Sequence, residues 1–131
     1  MSRPEPDRPS TLIALVGPCA SGKSTLQSAL AAEGFNVRHL AQEHSYVLDK
    51  WQRHTNPDIL IYLDVDYETT LRRRPHTSGG PQRLADQHKK LSHAREHCHF
   101  YLDTSSFTPD EIKEKVTNFL KKAIDDLEKV P

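Results

Sequence analysis

The segment that most constrains the fold is Thr11-Leu-Ile-Ala-Leu-Val-Gly-Pro-Cys-Ala-Ser-Gly-Lys-Ser-Thr25, near the start of this 131-residue chain. Its first six residues form an apolar run rich in branched side chains, which is typical of a strand buried on both faces of a parallel sheet. The next eight, Gly17–Ser24, match the P-loop pattern G-x-x-x-x-G-K-S, and a helical pattern runs from Lys23 to Glu33. A chance match on a glycine-rich turn would not require this strand-loop-helix context. The segment therefore predicts a phosphate-binding loop.

This loop predicts the binding of ATP and Mg²⁺. Glycines permit backbone angles at which successive N–H groups point into one concavity, and the following helix adds its free N–H groups and positive dipole end. Lys23 supplies a charge for the β- and γ-phosphates, the Ser24 hydroxyl can ligate Mg²⁺, and Thr25 can reach the α-phosphate. The chain has no N/T-K-x-D motif of the GTPases and its sequence leaves the choice between ATP and GTP open, so ATP is the default nucleotide. The predicted nucleotide-binding residues here are Gly17, Pro18, Cys19, Ala20, Ser21, Gly22, Lys23, Ser24 and Thr25. Within this set, Cys19 is either a thiol activated by the nearby lysine or a small side chain at a variable loop position.

The rest of the chain continues the alternation of strands and helices. Further strands are predicted over residues 36–40, 58–65 and 100–103, and further helices over 45–54, 67–74, 83–97 and from 109 onward. We expect the helix over 45–54 to carry Val47, Leu48 and Trp51 on one face. The last helix begins with a capping box over residues 108–111 and has an apolar stripe comprising Ile112, Val116, Phe119, Leu120, Ala123 and Leu127. The fold class is therefore α/β: a three-layer sandwich with a short, mostly parallel sheet, as in a minimal P-loop NTPase.

Composition narrows the functional classes. The formal net charge is zero, with 18 basic and 18 acidic residues, which argues against a nucleic-acid or anionic-membrane partner. No apolar run is long enough to cross a bilayer, and two cysteines cannot form a disulfide framework. We expect a reduced, cytoplasmic protein in which residues 1–10 are a disordered leader and 11–131 are one domain. The last helix and the Trp51 helix are candidate surfaces for a homodimer.

Several later segments carry a family resemblance. They are Tyr62-Leu-Asp-Val65, Glu68 with Arg72-Arg73-Arg74, Arg83-Leu84, and Tyr101-Leu-Asp-Thr104 followed by Ser105 to Ile112. Together with the P-loop they resemble the nucleoside and nucleotide monophosphate kinases, most closely the thymidylate-kinase-like group, from Thr11 to about Ile124. The resemblance implies that ATP phosphorylates a small acceptor with Mg²⁺, beneath a lid-like segment at 76–97. It implies that Arg73 stacks on adenine, that Ser105 and Ser106 lie against the base, and that Arg74 and Arg83 neutralise the transferring phosphoryl group.

The chain departs from these kinases between residues 41 and 57, where they have an additional strand ending in an acidic residue beside Mg²⁺. Two carboxylates are candidates to compensate for it. Glu43 follows the second strand at the carboxyl edge of the sheet, where it can orient Mg²⁺ or accept a proton from the acceptor. Asp64 ends an apolar strand in the manner of a Walker B motif and is a candidate Mg²⁺ ligand. For both residues the alternative is an acidic side chain that caps a loop or helix.

Histidines are unusually frequent, at eight in the chain. His88, His93, His97 and His99 cluster with Cys98, which suggests either a zinc site or, more simply, an exposed helix face. His44, next to Glu43, is better placed for the predicted site. Besides a kinase, the sequence leaves open a nucleotide-binding module that hydrolyses weakly or not at all. A nucleic-acid-binding ATPase, supported only by the basic segment 72–90, is a third class.

Overall fold

The computed structural model describes residues 11–128, which form a four-stranded sheet with helices on both of its faces. The strands are β1 (Leu12–Val16), β2 (Asn36–His39), β3 (Ile59–Asp64) and β4 (Phe100–Asp103). All three pairings are parallel and the order is β2-β1-β3-β4. The carboxyl ends of the two central strands, β1 and β3, therefore lie side by side at one edge of the sheet, where open α/β sheets bind ligands. The predicted α/β class with a parallel sheet is confirmed.

The helices predicted over 23–33, over 67–74 and from 109 onward begin at the predicted residues. The helices of the structure are α1 (Lys23–Ala32), α2 (Tyr67–Arg73), α3 (Gly80–Lys90), α4 (Ser92–His97) and α5 (Pro109–Glu128). Asp66 caps α2 by accepting a hydrogen bond from the Thr69 N–H at 2.7 Å. The capping box of α5 is present, with the Thr108 N–H donating to Glu111 Oε1 and the Glu111 N–H donating to Thr108 Oγ1.

Two apolar cores hold the helices against the sheet. On one face, β1, β2 and β3 pack against α1 and the Ile112–Val116–Leu120 stripe of α5. On the other face, Val16, Leu60 and Tyr62 pack against Trp51, Leu91 and Ala94. Because β1 and β3 are buried on both faces, both have the continuous apolar sequence that predicted them.

The prediction of a helix over residues 45–54 is wrong. The region from 42 to 55 instead contains a 3₁₀ turn at Gln42–His44 and a single π-helical turn at Trp51–Thr55. The buried side chain of Gln42 holds this region in place: it donates to the carbonyls of Val47 and Lys90 and accepts from the Trp51 N–H. These bonds replace helical ones, and Val47 and Leu48 are exposed.

Two further predictions need correction. The helix predicted over 83–97 is divided into α3 and α4 at Leu91, whose side chain is fully buried and whose backbone leaves the helical conformation. Leu127, predicted to lie on the buried stripe of α5, is 46% exposed. Between Leu40 and Asp58 there is no strand, as the sequence indicated, and β2 pairs directly with β1. No helix within 11–128 is long and apolar enough to cross a membrane, and the predicted leader lies outside the described residues.

Candidate functional site

The loop Gly17–Ser24, here called the glycine-rich loop, leaves β1 at the carboxyl edge of the sheet and leads directly into α1. Gly17 has φ = +151°, and a Cβ there would lie 1.9 Å from the carbonyl oxygen of Leu63, so that only glycine fits. Ala20 and Gly22 also have positive φ, at 68° and 102°. No side chain caps the N-terminus of α1 among the described residues, which leaves its first N–H groups available to an anion.

Lys23 bends back over the glycine-rich loop and forms an ion pair with Glu43. Its Nζ donates to the carbonyls of Gly17 and Pro18 and lies 3.1 Å from Glu43 Oε2. Both side chains are more than nine-tenths buried. Burial lowers the pKa of Lys23, although the neighbouring carboxylate opposes this shift. The structure thus brings together Lys23 and Glu43, two predicted catalytic residues that are twenty positions apart.

A cleft of about 410 Å³, here called the loop cleft, opens above this pair. Ser24, Thr25 and Arg74 line it together with Lys23 and Glu43. One polar atom of a lining residue, Glu43 Oε1, is buried without a hydrogen-bond partner among the described residues. Buried polar atoms in proteins are normally paired, so this oxygen indicates a place that a polar ligand or ion completes.

Arg73 connects the glycine-rich loop to the end of β4. Its guanidinium donates to the carbonyl oxygen of Ala20 at 2.8 Å and to both the hydroxyl and carbonyl oxygens of Thr104. The Thr104 hydroxyl also lies 2.9 Å from the carbonyl oxygen of Ser21. Thr104 is fully buried. It was not predicted as a site residue, although its position directly after a strand at the carboxyl edge is a signal that could have identified it.

Arg73 also borders a largely apolar pocket of about 390 Å³, here called the apolar pocket, which shares Gly22, Thr25 and Arg73 with the loop cleft. Phe107 and Pro109 also line it. The predicted base contacts Ser105 and Ser106 do not line this pocket. The Ser105 hydroxyl instead accepts a hydrogen bond from the Asp66 N–H at 2.8 Å, which ties the β4 loop to the start of α2.

Arg83 lies on α3, facing a small cavity of about 30 Å³ that Cys19, Ala20 and Arg74 also line. Its Nη2 is 3.7 Å from the Cys19 sulfur. Gln87, one turn later, accepts from the Cys19 N–H at 3.0 Å and donates to the sulfur at 3.4 Å. The lid-like segment therefore contacts the glycine-rich loop directly. No local sequence signal distinguishes Gln87 from other helical glutamines.

Asp64 lies at the end of β3 but makes its contacts away from the glycine-rich loop. Its carboxylate accepts from the Tyr101 hydroxyl at 2.6 Å and lies 2.9 Å from His88 Nε2. The side chain forms no hydrogen bond or ion pair with Lys23 or Ser24 in the described part of the chain. Of the two carboxylates considered from the sequence, the structure places Glu43, and not Asp64, in the loop cleft with Ser24.

The histidines near Cys98 do not form a metal-ligating group with it among the described residues, although the rings of His93 and His97 stack with centroids 4.2 Å apart. Trp51 Nε1 donates to His93, the Leu60 N–H donates to His99, and the Cys98 thiol donates to the Arg95 carbonyl. Burial raises the pKa of that thiol. Among residues 11–128, the group of His, Cys, Asp or Glu side chains arranged closely enough to share a metal ion is a different one, Cys19 with Glu43 and His44.

Comparison with known proteins gives no family to which this chain can be assigned. No family model matches the sequence, and no curated protein is significantly similar to it. The site must therefore be interpreted from its own geometry.

Proposed function

We propose that this chain is a P-loop phosphotransferase that binds ATP and transfers its γ-phosphate to a small nucleoside, nucleotide or similar acceptor. The observation that carries this proposal is the glycine-rich loop at the carboxyl edge of a parallel sheet, with Lys23, Glu43 and Arg74 around one cleft. Phosphoryl transfer needs positioning and positive charge around the transferring group more than covalent chemistry. Lys23 and Arg74 would supply that positive charge in this cleft.

The nucleotide has room on both sides of Gly22. Its phosphates would occupy the loop cleft, where Lys23 exchanges the carbonyls of Gly17 and Pro18 for phosphate oxygens. The base would enter the apolar pocket, which Arg73, Phe107 and Pro109 line. A guanidinium held by three hydrogen bonds is a preorganised plane on which a base can stack.

Magnesium fits the oxygen ligands of the loop cleft. Ser24 supplies a hydroxyl, and Glu43 supplies a carboxylate whose Oε1 has no partner among the described residues. The ion would neutralise charge on the phosphates. Glu43, which follows β2 at the carboxyl edge, is also the candidate to accept the proton of an acceptor hydroxyl. Arg74 in the cleft and Arg83 above the small cavity are the candidates to neutralise the transferring group.

A second candidate is a nucleotide-binding module that hydrolyses weakly or not at all. It is favoured by one observation: the segment between β2 and β3 contains turns in place of a strand, and β2 pairs directly with β1. The acceptor-binding strand of the kinases that the sequence resembles is therefore missing. In this case the chain would keep the phosphate-binding loop and lack phosphoryl transfer.

The test is product analysis with ATP labelled at the γ-phosphate, Mg²⁺, and pooled nucleosides, nucleoside monophosphates and small hydroxyl metabolites. Acceptor-dependent transfer that is lost in Lys23→Ala and kept in Lys121→Ala, an exposed lysine on α5, supports the phosphotransferase. Nucleotide binding without any labelled product supports the second candidate. Absence of both binding and transfer contradicts both.

A further inference from the structure

Three side chains beside the glycine-rich loop form a compact set of metal-ligating atoms. The Cys19 sulfur lies 3.6 Å from His44 Nε2 and 3.9 Å from Glu43 Oε2, and the last two atoms are 3.6 Å apart. Cys19 comes from the loop after β1, whereas Glu43 and His44 come from the 3₁₀ turn after β2. The adjacency of β1 and β2 in the sheet brings these two turns together.

The triangle has the dimensions of one face of a zinc tetrahedron. Bonds of about 2.3 Å to sulfur and about 2.1 Å to nitrogen and oxygen give tetrahedral edges of roughly 3.6 Å between sulfur and either lighter atom, and roughly 3.4 Å between nitrogen and oxygen. The observed separations exceed these by at most 0.3 Å. No backbone rearrangement is therefore needed to close the three ligands around one ion.

A second, independent feature also points to a ligand. Glu43 is only 5% exposed, and its Oε1 has no hydrogen-bond partner among the described residues. The triangle and the ion pair with Lys23 both use Oε2, so Oε1 is a second, buried oxygen through which the same carboxylate can engage a cation or keep its pair with Lys23. Donors from Gln87 and Arg83 lie 3.4 and 3.7 Å from the sulfur and would stabilise a metal-bound thiolate.

We propose that Cys19, Glu43 and His44 form a binding site for a zinc-class divalent cation. One sulfur, one imidazole nitrogen and one carboxylate oxygen favour zinc or cobalt over magnesium, which prefers oxygen ligands alone. All three residues line the loop cleft, so the fourth coordination position is open to water or to an anionic oxygen of a ligand. The thiol loses its proton when the ion binds. Because Glu43 is shared, the cation and Lys23 compete for the same carboxylate.

The test is a titration of the reduced, metal-free protein with Co²⁺, without nucleotide, so that its outcome does not depend on the proposed phosphotransferase. We expect one Co²⁺ ion to bind per chain, with the visible bands of tetrahedral cobalt and a thiolate-to-cobalt absorption in the near ultraviolet. Stoichiometric Zn²⁺ should displace the cobalt and remove both absorptions. Cys19→Ser should abolish the near-ultraviolet absorption. His44→Ala should weaken binding by about tenfold or more, since even loss of an outer partner of a ligand commonly costs that much.

Matched controls are available for both ligands. Cys98→Ser removes the other cysteine, and His54→Ala removes an exposed histidine; both should keep the spectrum and affinity of the unmodified protein. His44 is itself half-exposed, so its truncation should leave the fold intact, which circular dichroism of the metal-free variant checks. The proposal is overturned by a Co²⁺ spectrum without a thiolate band, by a band that survives Cys19→Ser, or by one that Cys98→Ser removes.

Discussion

The buried pair Lys23–Glu43 should be energetically coupled, and a double-mutant cycle can measure this coupling. The Nζ–Oε2 separation of 3.1 Å corresponds to a gross attraction of about 5 kcal/mol at an effective dielectric constant near 20. Desolvation of two buried charges offsets much of that energy. We therefore expect a net coupling free energy of about 1–3 kcal/mol.

The cycle comprises Lys23→Met, Glu43→Gln and the double variant, each unfolded with urea and followed by circular dichroism. Lys23→Met leaves a buried carboxylate without its cation and should lower the free energy of unfolding by about 3–5 kcal/mol. Glu43→Gln keeps an oxygen that can accept from Lys23 and should cost less. The double variant should be more stable than the sum of the single effects predicts. Additive effects within about 0.5 kcal/mol would refute the idea that the two side chains form a coupled pair.

Three further perturbations have outcomes that follow from named contacts. Burial holds the pKa of Lys23 below its usual 10.5, so the affinity for ATP, measured by calorimetry, should fall as pH rises through that lowered pKa. The free energy of unfolding should rise between the lowered pKa and pH 10.5, because the unfolded chain binds the proton more tightly there. Glu43→Gln removes the charge that raises this pKa and should therefore move the loss of affinity to lower pH. Asp66→Ala removes the cap of α2 and should cost about 1 kcal/mol in urea unfolding. Hydrogen bonds to the cap lower the pKa of Asp66 below 3.8, so this difference should be full above that pH and shrink as pH falls through the lowered pKa. Gly17→Ala should lower the free energy of unfolding by at least about 2 kcal/mol, because the new Cβ meets a backbone carbonyl. Gly34→Ala is the control: its Cβ meets no atom within 4 Å, and it should cost about 1 kcal/mol. Equal thermal shifts of the two variants would contradict the close approach at Gly17.

The elements with local signals could be predicted from the sequence. Buried central strands are continuous apolar runs, and the capping residues Asp66 and Thr108 mark their helices. Glu43 could be placed at the carboxyl edge because it lies three residues after the end of a predicted strand. Each of these signals lies within a few residues of the feature that it predicts.

Features that depend on distant partners could not be predicted in this way. The segment after Glu43 takes its shape from Gln42, whose side chain bonds to a carbonyl 48 positions away, so its helix-like spacing was misleading. Asp64 has a metal-ligand pattern in the sequence, but Tyr101 and His88 take its carboxylate. The proximity of Cys19 to His44, 25 residues apart, follows from the pairing of β1 with β2. These contacts depend on which elements lie next to each other in the fold. A local sequence pattern does not carry that information.

The central claim, that the glycine-rich loop binds a nucleotide through Lys23, is tested most directly by calorimetric titration with MgATP. The account predicts saturable binding of one nucleotide per chain. Lys23→Ala should weaken it by roughly 10- to 100-fold, as expected for the loss of a charged hydrogen-bond donor, while Lys121→Ala leaves it unchanged. Absence of binding to the unmodified protein, or equal affinity of a folded Lys23→Ala variant, would contradict the claim.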